Sequence, residues 1–330
     1  MTSGTAPVTL ADLQTGIEPR LAEVRDEIRR LIEADFPLIA QLNSHLVQMQ
    51  GKMFRPTLLL LADAATGGAR DRSAVALAAV VELIHVATLV HDDAVDHSVL
   101  RRGMPTLNAL FSHQIAVIMG DYLYSRAVIE LVRLEDLDAL RVLSRVTNEM
   151  TVGEMRQLFA HDPLAFSEAD YDLLIRAKTA SLISGACEVG ARSGSDAERR
   201  ALRDFGEGLG MAFQIVDDLL DFTGAEAITG KPAGLDLREH KVTLPLIYAL
   251  PRMSASQRDA VAELMGNPEP GEPEIAKVVA AVRECGGLEY AQLRAQSFCA
   301  RAEAALEALP ASAAREQLRA SLSYVVERRT

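Results

Sequence analysis

Apolar residues recur every three or four positions along almost the whole chain, the spacing of amphipathic and buried helices. That period predicts helices over residues 9–30, 33–48, 52–65, 73–98, 105–111, 113–133, 136–160, 167–190, 197–223, 239–250, 254–265, 273–284, 287–307 and 310–328. No segment alternates with period two, so no strand is expected. Gly/Pro-rich punctuation is sparse, at 66–70, 101–105, 224–234 and 266–273. The longest apolar run, Ala74 to Val90, is broken by Glu82 and His85 and runs into Asp92. It is short for a membrane span and reads as a buried helix. No low-complexity linker divides the chain. The expectation is one all-α domain over residues 1–330, a large helical bundle around a central cavity.

Two of the longest helical stretches end in the same acidic pattern, Asp-Asp-x-x-Asp. The first copy is Asp92, Asp93 and Asp96; the second is Asp217, Asp218 and Asp221. Residues i and i+4 share a helix face, about 6 Å apart along the axis. Asp92 therefore stacks with Asp96, and Asp217 with Asp221. Stacked carboxylates beside apolar residues repel one another and are costly to bury. A hard divalent cation with oxygen ligands compensates best, and Mg²⁺ is typically held by one or two carboxylates plus substrate phosphates. Each motif precedes a glycine-containing loop, which puts both acidic faces at the mouth of a bundle. Two such faces across a cavity would clamp a diphosphate.

Composition narrows the partners. The 330 residues are 49% hydrophobic and 24% charged, with a net charge of −12. That balance suits a large globular core and argues against nucleic acid, which needs a basic surface. The three cysteines, Cys187, Cys285 and Cys299, fit no metal pattern and read as reduced thiols of a cytoplasmic protein. Residues 1–10 show no basic and apolar leader pattern, and no stable membrane insertion is expected.

An acidic protein that handles an anion needs local cations, and three basic clusters supply them. Lys52 and Arg55 fall at an expected helix start, where free N–H groups favour anions. Arg101 and Arg102 follow the first motif, and Lys231 and Lys241 follow the second. Arg pairs with phosphate through two parallel bonds, and Lys acts as a point charge.

With these residues in view, the chain resembles the trans-polyprenyl diphosphate synthases of the isoprenoid synthase fold. The resemblance runs in order through Gly51-Lys-x-x-Arg-Pro56, Glu82 to Asp96, Arg101-Arg-Gly103, Gly120-Asp-Tyr-Leu123, Lys178-Thr-Ala180, Phe213 to Asp221, Gly230 to Asp236 and Lys241 to Leu246. It implies about three Mg²⁺ per site. Asp92 and Asp96 would ligate metal on the allylic diphosphate, with Asp93 supporting them. Asp217 would ligate a further metal, with Asp218 and Asp221 acting directly or through water. Arg101, Lys178, Lys231 and Lys241 would contact the allylic diphosphate. Lys52, Arg55, His85 and Arg102 would bind isopentenyl diphosphate. Thr179 and Gln214 would turn oxygen dipoles toward the allylic cation. A homodimer is implied by resemblance alone. One departure stands out: the family commonly has a basic residue after the Lys52 position, where this chain has Met53 and Phe54.

Product length should follow what lines the cavity below the first motif. One turn back from Asp92 are Thr88 and Ala87, and two turns back is Ile84. In the family, bulky aromatics at the Thr88 or Ala87 position stop growth early. Both residues are small here, which implies a long-chain product of C30–C50, with C20–C25 as the alternative. Ile118, Met119 and Tyr122 are candidates for a deeper floor. A class I terpene cyclase would share the fold but need no second diphosphate pocket. A head-to-head condensing enzyme is disfavoured by the Gly-Lys-x-x-Arg-Pro segment. A di-iron bundle would need two Glu-x-x-His motifs, and only Glu82–His85 matches. A helical scaffold without catalysis would bind no metal and pyrophosphate.

Overall fold

The structure is a computed structural model that describes residues 7–49, 51–68, 72–158, 163–224 and 234–327. Its helices are α1 (Leu10–Gln14), α2 (Glu18–Ile32), α3 (Pro37–Gln48), α4 (Phe54–Ala65), α5 (Ser73–Val95), α6 (Leu107–Leu110), α7 (His113–Arg133), α8 (Leu137–Leu158), α9 (Glu168–Ile175) and α10 (Ser181–Gly190). They continue as α11 (Asp196–Thr223), α12 (Leu235–Arg238), α13 (Leu244–Ala249), α14 (Ala255–Gly266), α15 (Glu272–Glu284), α16 (Gly287–Ala305) and α17 (Ala313–Val326). The all-α expectation is met.

Helix α5 is apolar nearly all round, and such a helix belongs in a core. It is long and apolar enough to cross a membrane, yet most of that stretch is buried inside the protein. It packs along α7 and against α2 and α4. Helix α11 begins in a capping box, Ser195 with Glu198, and packs between α10 and α16. The two motif-bearing helices thus form opposite walls of the bundle. A smaller apolar cluster, from Phe222 through α12 to α15, closes one end and meets the main core at Leu288.

Three local features depart from the helical pattern. Leu100–Arg101 and Met104–Pro105 form a two-stranded antiparallel hairpin where no strand was expected. Two-residue strands are too short to show alternation. Arg102 and Gly103 both take positive φ, 53° and 75°, the requirement of a tight type I′ hairpin turn. The helix expected over 167–190 is interrupted at Arg176–Ala180 by a π-helical turn, a feature common at functional sites. The helix expected over 239–250 is shorter, α13 at Leu244–Ala249, and a separate short helix, α12, precedes it at Leu235–Arg238.

Candidate active site

Helix α5 turns Glu82, His85, Thr88, Asp92 and Asp96 toward one cavity of about 1050 Å³. Their spacing of three to four residues keeps them on one face. Asp92 is partly buried, and its carboxylate lies 3.6 Å from Lys178 Nζ. Lys178 Nζ also meets Glu154 at 2.5 Å and donates to Gln157 Oε1 at 3.4 Å. Burial, then Glu154 and Asp96, push the Asp92 carboxyl up, and Lys178 opposes them. Asp96 caps the end of α5, with Lys241 Nζ at 3.9 Å. Asp93 points off this face and is buried. Both of its oxygens accept from Arg101 Nε at 2.8 Å, so it anchors Arg101.

Across the cavity, α11 presents Asp217 and Gln214. The other two aspartates of the second motif, expected to act on the metal directly or through water, each accept hydrogen bonds from the protein. Asp218 is buried; its Oδ2 accepts from Tyr171 at 2.6 Å and its Oδ1 from Gln214 Nε2 at 2.8 Å. Asp221 accepts the backbone N–H groups of Leu235 and Asp236 at 3.0 and 3.1 Å, satisfying the start of α12. Beside it, burial and the Asp221 charge push the Asp236 carboxyl up to about 7. Lys231 lies outside the described residues.

The basic pocket forms at one end of the same cavity, lined by Lys52, Arg55, Glu82, His85, Arg101 and Arg102. Helix α4 starts at Phe54 rather than at residue 52, because buried Met53 takes a left-handed φ of 58°. Lys52 is therefore exposed ahead of the helix. Arg102 donates to the Met49 carbonyl at 2.8 Å. Burial and the charges of Arg55, Arg102 and Arg101 hold His85 well below the usual histidine range, so it is a neutral imidazole near pH 7. Buried Glu82, unassigned from sequence, is the carboxyl whose charge offsets Arg55 and Arg102.

The cavity wall separates the residues expected to set product length. Thr88 lines it, its hydroxyl donating to the His85 carbonyl at 2.8 Å. Ile84 and Ala87 are not among its lining residues; both are buried in the core. Ile118 is 66% exposed on the outer surface, Met119 is buried in the core, and Tyr122 donates to the Ile32 carbonyl. The apolar part of the wall comes from Leu89, Met150, Ile183 and Phe213. A helix face cannot be assigned from spacing alone when the helix is apolar all round.

Sequence reasoning also missed Glu154, Gln157, Tyr171 and Asp236. Glu154 and Gln157 lie three residues apart on one helix face, but other polar residues around them, Glu149, Thr151 and Arg156 among them, hide that signal. Tyr171 carried none, since its partner is 47 residues away.

Among the described residues, no three His, Cys, Asp or Glu side chains come close enough to hold a metal by themselves. Asp92, Asp96 and Asp217 are hard oxygen donors on facing walls, so oxygens of a diphosphate would have to complete any metal's coordination. That donor set fits Mg²⁺ or Ca²⁺ and not the softer metals.

Facing aspartate motifs and a basic pocket around one cavity in an all-α bundle define an isoprenoid synthase. The polyprenyl synthetase family profile matches residues 36–282, and the chain belongs to that family; it is a transferase of prenyl groups. It is 37% identical over 321 residues to the octaprenyl diphosphate synthase of Haemophilus influenzae, covering 96% of each chain. It is 39% identical over 308 residues to an all-trans-nonaprenyl-diphosphate synthase (geranyl-diphosphate specific) of Rhodobacter capsulatus, covering 93% of this chain and 94% of that one. A polyprenyl synthase from Caulobacter crescentus, solved with calcium and isoprenyl diphosphate, superposes with a TM-score of 0.92 at 36% identity, over 99% of this chain and 100% of that one.

Proposed function

We propose that this enzyme adds isopentenyl diphosphate units to an allylic diphosphate primer and makes a long-chain, C30–C50, all-trans product. The observation that carries this reading is the single cavity shared by Asp92, Asp96 and Asp217 on facing helices and by the Lys52, Arg55, His85 and Arg102 pocket. Two diphosphates have separate places there. Asp92, Asp96 and Asp217 would hold Mg²⁺, about three per site, which would offset charge on the departing diphosphate. Lys178, Lys241, Arg101 and Lys231 add positive charge to that leaving group. Arg55, Arg102, Lys52 and neutral His85 hold isopentenyl diphosphate without a metal. Thr179 and Gln214 face the allylic cation with oxygen dipoles. The double bond of isopentenyl diphosphate attacks that cation, and the released diphosphate takes the proton lost afterwards. The apolar wall keeps water from quenching the cation.

The small Thr88 on the cavity wall, together with relatives named for octaprenyl and nonaprenyl products, supports the long-chain reading. The test supplies purified protein with isopentenyl diphosphate, Mg²⁺ and C10, C15 or C20 primers, and reads products by mass spectrometry. A strict C15 product, or none, would overturn it.

A homodimer is part of the proposal. Ile118, Ile129 and Val132 on α7, with Val152, Met155 and Leu158 on α8, are exposed apolar side chains on two adjacent helices. A second copy of this chain would cover them. Sedimentation should give a dimer, and Val132→Glu should shift it toward monomer. The three free thiols suit the cytoplasm as the compartment.

A further inference from the structure

Four side chains form an unbroken hydrogen-bonded line from the core to the cavity. Tyr171, only 2% exposed on α9, donates its hydroxyl to Asp218 Oδ2 at 2.6 Å. Gln214 Nε2 donates to Asp218 Oδ1 at 2.8 Å. Thr179, in the π-helical turn, donates its hydroxyl to Gln214 Oε1 at 2.8 Å. Of the four, Thr179 and Gln214 line the cavity. Tyr171 and Asp218 do not.

The direction of these bonds matters more than their number. The Thr179 and Gln214 protons in the line point away from the cavity toward Asp218, and the Tyr171 proton meets Asp218 from the core side. Asp218 Oδ1 can only accept from Gln214. That holds whether Asp218 is ionised or carries a proton on Oδ2, because Oδ1 is then the carbonyl oxygen. The Gln214 amide is thereby prevented from turning over, and its Oε1 must face Thr179. Thr179 spends its single proton on that oxygen. What remains toward the cavity is the lone pairs of Thr179 Oγ1 and Gln214 Oε1, the negative ends of two dipoles. If the amide turned over, its NH₂ group would face the cavity with the wrong sign.

We infer that Asp218 and Tyr171 are positioning residues that set the polarity of the Thr179–Gln214 pair toward the allylic cation, and that Asp218 is not a metal ligand. This rests on the proposed ionisation chemistry of the same site. It assigns a function to Tyr171, which belongs to neither aspartate motif. It also separates the two central aspartates: Asp93 orients a cation-bearing arginine, and Asp218 orients an amide. Preorganised dipoles aimed at developing charge typically contribute 10²–10³ in rate, so losing the orientation should be costly in kcat and nearly silent in binding.

The experiment compares the full-length protein with Tyr171→Phe, Asp218→Asn and the double variant. Asn at 218 can offer an NH₂ group to Gln214 and invites the amide to turn over. Readouts are kcat, KM for both substrates, the Mg²⁺ concentration for half-maximal rate, and the fraction of primer released as prenyl alcohol. Expected for Asp218→Asn is about a 100-fold loss of kcat, with KM and the Mg²⁺ requirement within about twofold of the unsubstituted protein and a larger alcohol fraction. Tyr171→Phe should lose less, about 10-fold, in the same pattern. The double variant should be no worse than Asp218→Asn alone. Circular dichroism and thermal melts identify variants that fail to fold, and Asp218→Glu serves as the second carboxylate variant, expected to recover part of kcat. A rise of tenfold or more in the Mg²⁺ requirement of Asp218→Asn would make Asp218 a ligand and overturn the inference; so would unchanged kcat in both single variants. Absence of turnover in the unsubstituted protein would overturn the functional reading first, and this inference with it.

Discussion

Gly210→Ala should damage both stability and catalysis, and the structure sets the size of each effect. A Cβ at Gly210 on α11 would sit 2.5 Å from the Ala180 Cα in the π-helical turn. Carbon atoms rest about 3.5–4.0 Å apart, so α11 and the turn must separate by about 1 Å or more. The obstacle is backbone, which cannot rotate away. Overpacking of this kind costs about 1–3 kcal/mol. The same movement acts on the Thr179–Gln214 hydrogen bond, one residue from Ala180 and four residues, about one turn, from Gly210. At 2.8 Å that bond has little slack, and adding about 1 Å takes it beyond hydrogen-bond range. Misplacing a catalytic group by about 1 Å can lower the rate by about 100-fold. The assay pairs a thermal melt with single-turnover elongation of a radiolabelled primer. A variant with unchanged melting temperature and kcat would show that the close approach is not a constraint, and the reasoning about the contact between α11 and the π-helical turn would fall.

Other substitutions test separate parts of the site. Thr88→Phe should fill the cavity below Asp92 and shift the product distribution by at least one isoprene unit toward shorter chains; chromatography of the products against standards decides it. Asp93→Asn should release Arg101 and raise the KM of the allylic substrate by about 10-fold, a change of about 1.4 kcal/mol, while the Mg²⁺ requirement stays near that of the unsubstituted protein. Asp236→Asn should raise the melting temperature of the metal-free protein at pH 8 but not at pH 4. The sign follows from a carboxyl held at about 7 in the fold, against about 3.9 for an ordinary aspartate: the folded state binds the extra proton, so stability falls as pH rises between those values and the penalty is complete above about 7. His85 has the opposite sense. Its folded pKa is depressed, so it favours the folded state above about 6.5 and that contribution is lost as pH falls; His85→Gln should flatten the acid limb of a stability profile.

Much of the fold was legible because helices write their period into the chain. The long elements α5, α7, α8, α11 and α16 fall close to their expected spans. The misses share a cause. The Leu100–Pro105 hairpin is too short to show a period, and the π-helical turn leaves the apolar spacing around it almost unchanged. At the site, Asp92, Asp96, Asp217, Lys178, Thr179, Gln214 and the Arg55–His85–Arg102 group all reach one cavity, as their motifs led us to expect. Ile84 and Ala87 did not, because α5 is apolar nearly all round and spacing cannot say which apolar face meets a cavity and which packs into the core.

Read alone, the chain determined the helical period, the two Asp-Asp-x-x-Asp faces and their placement at helix ends, since each depends on residues a few positions apart. Three-dimensional packing decided what each aspartate does. Asp92 faces the cavity, Asp93 grips Arg101, Asp218 is buried under Tyr171, and Asp221 caps α12. Adjacent carboxylates in one motif point about 100° apart around a helix, so they meet different elements. Those elements come from distant parts of the chain, and only the folded core brings them within hydrogen-bond reach.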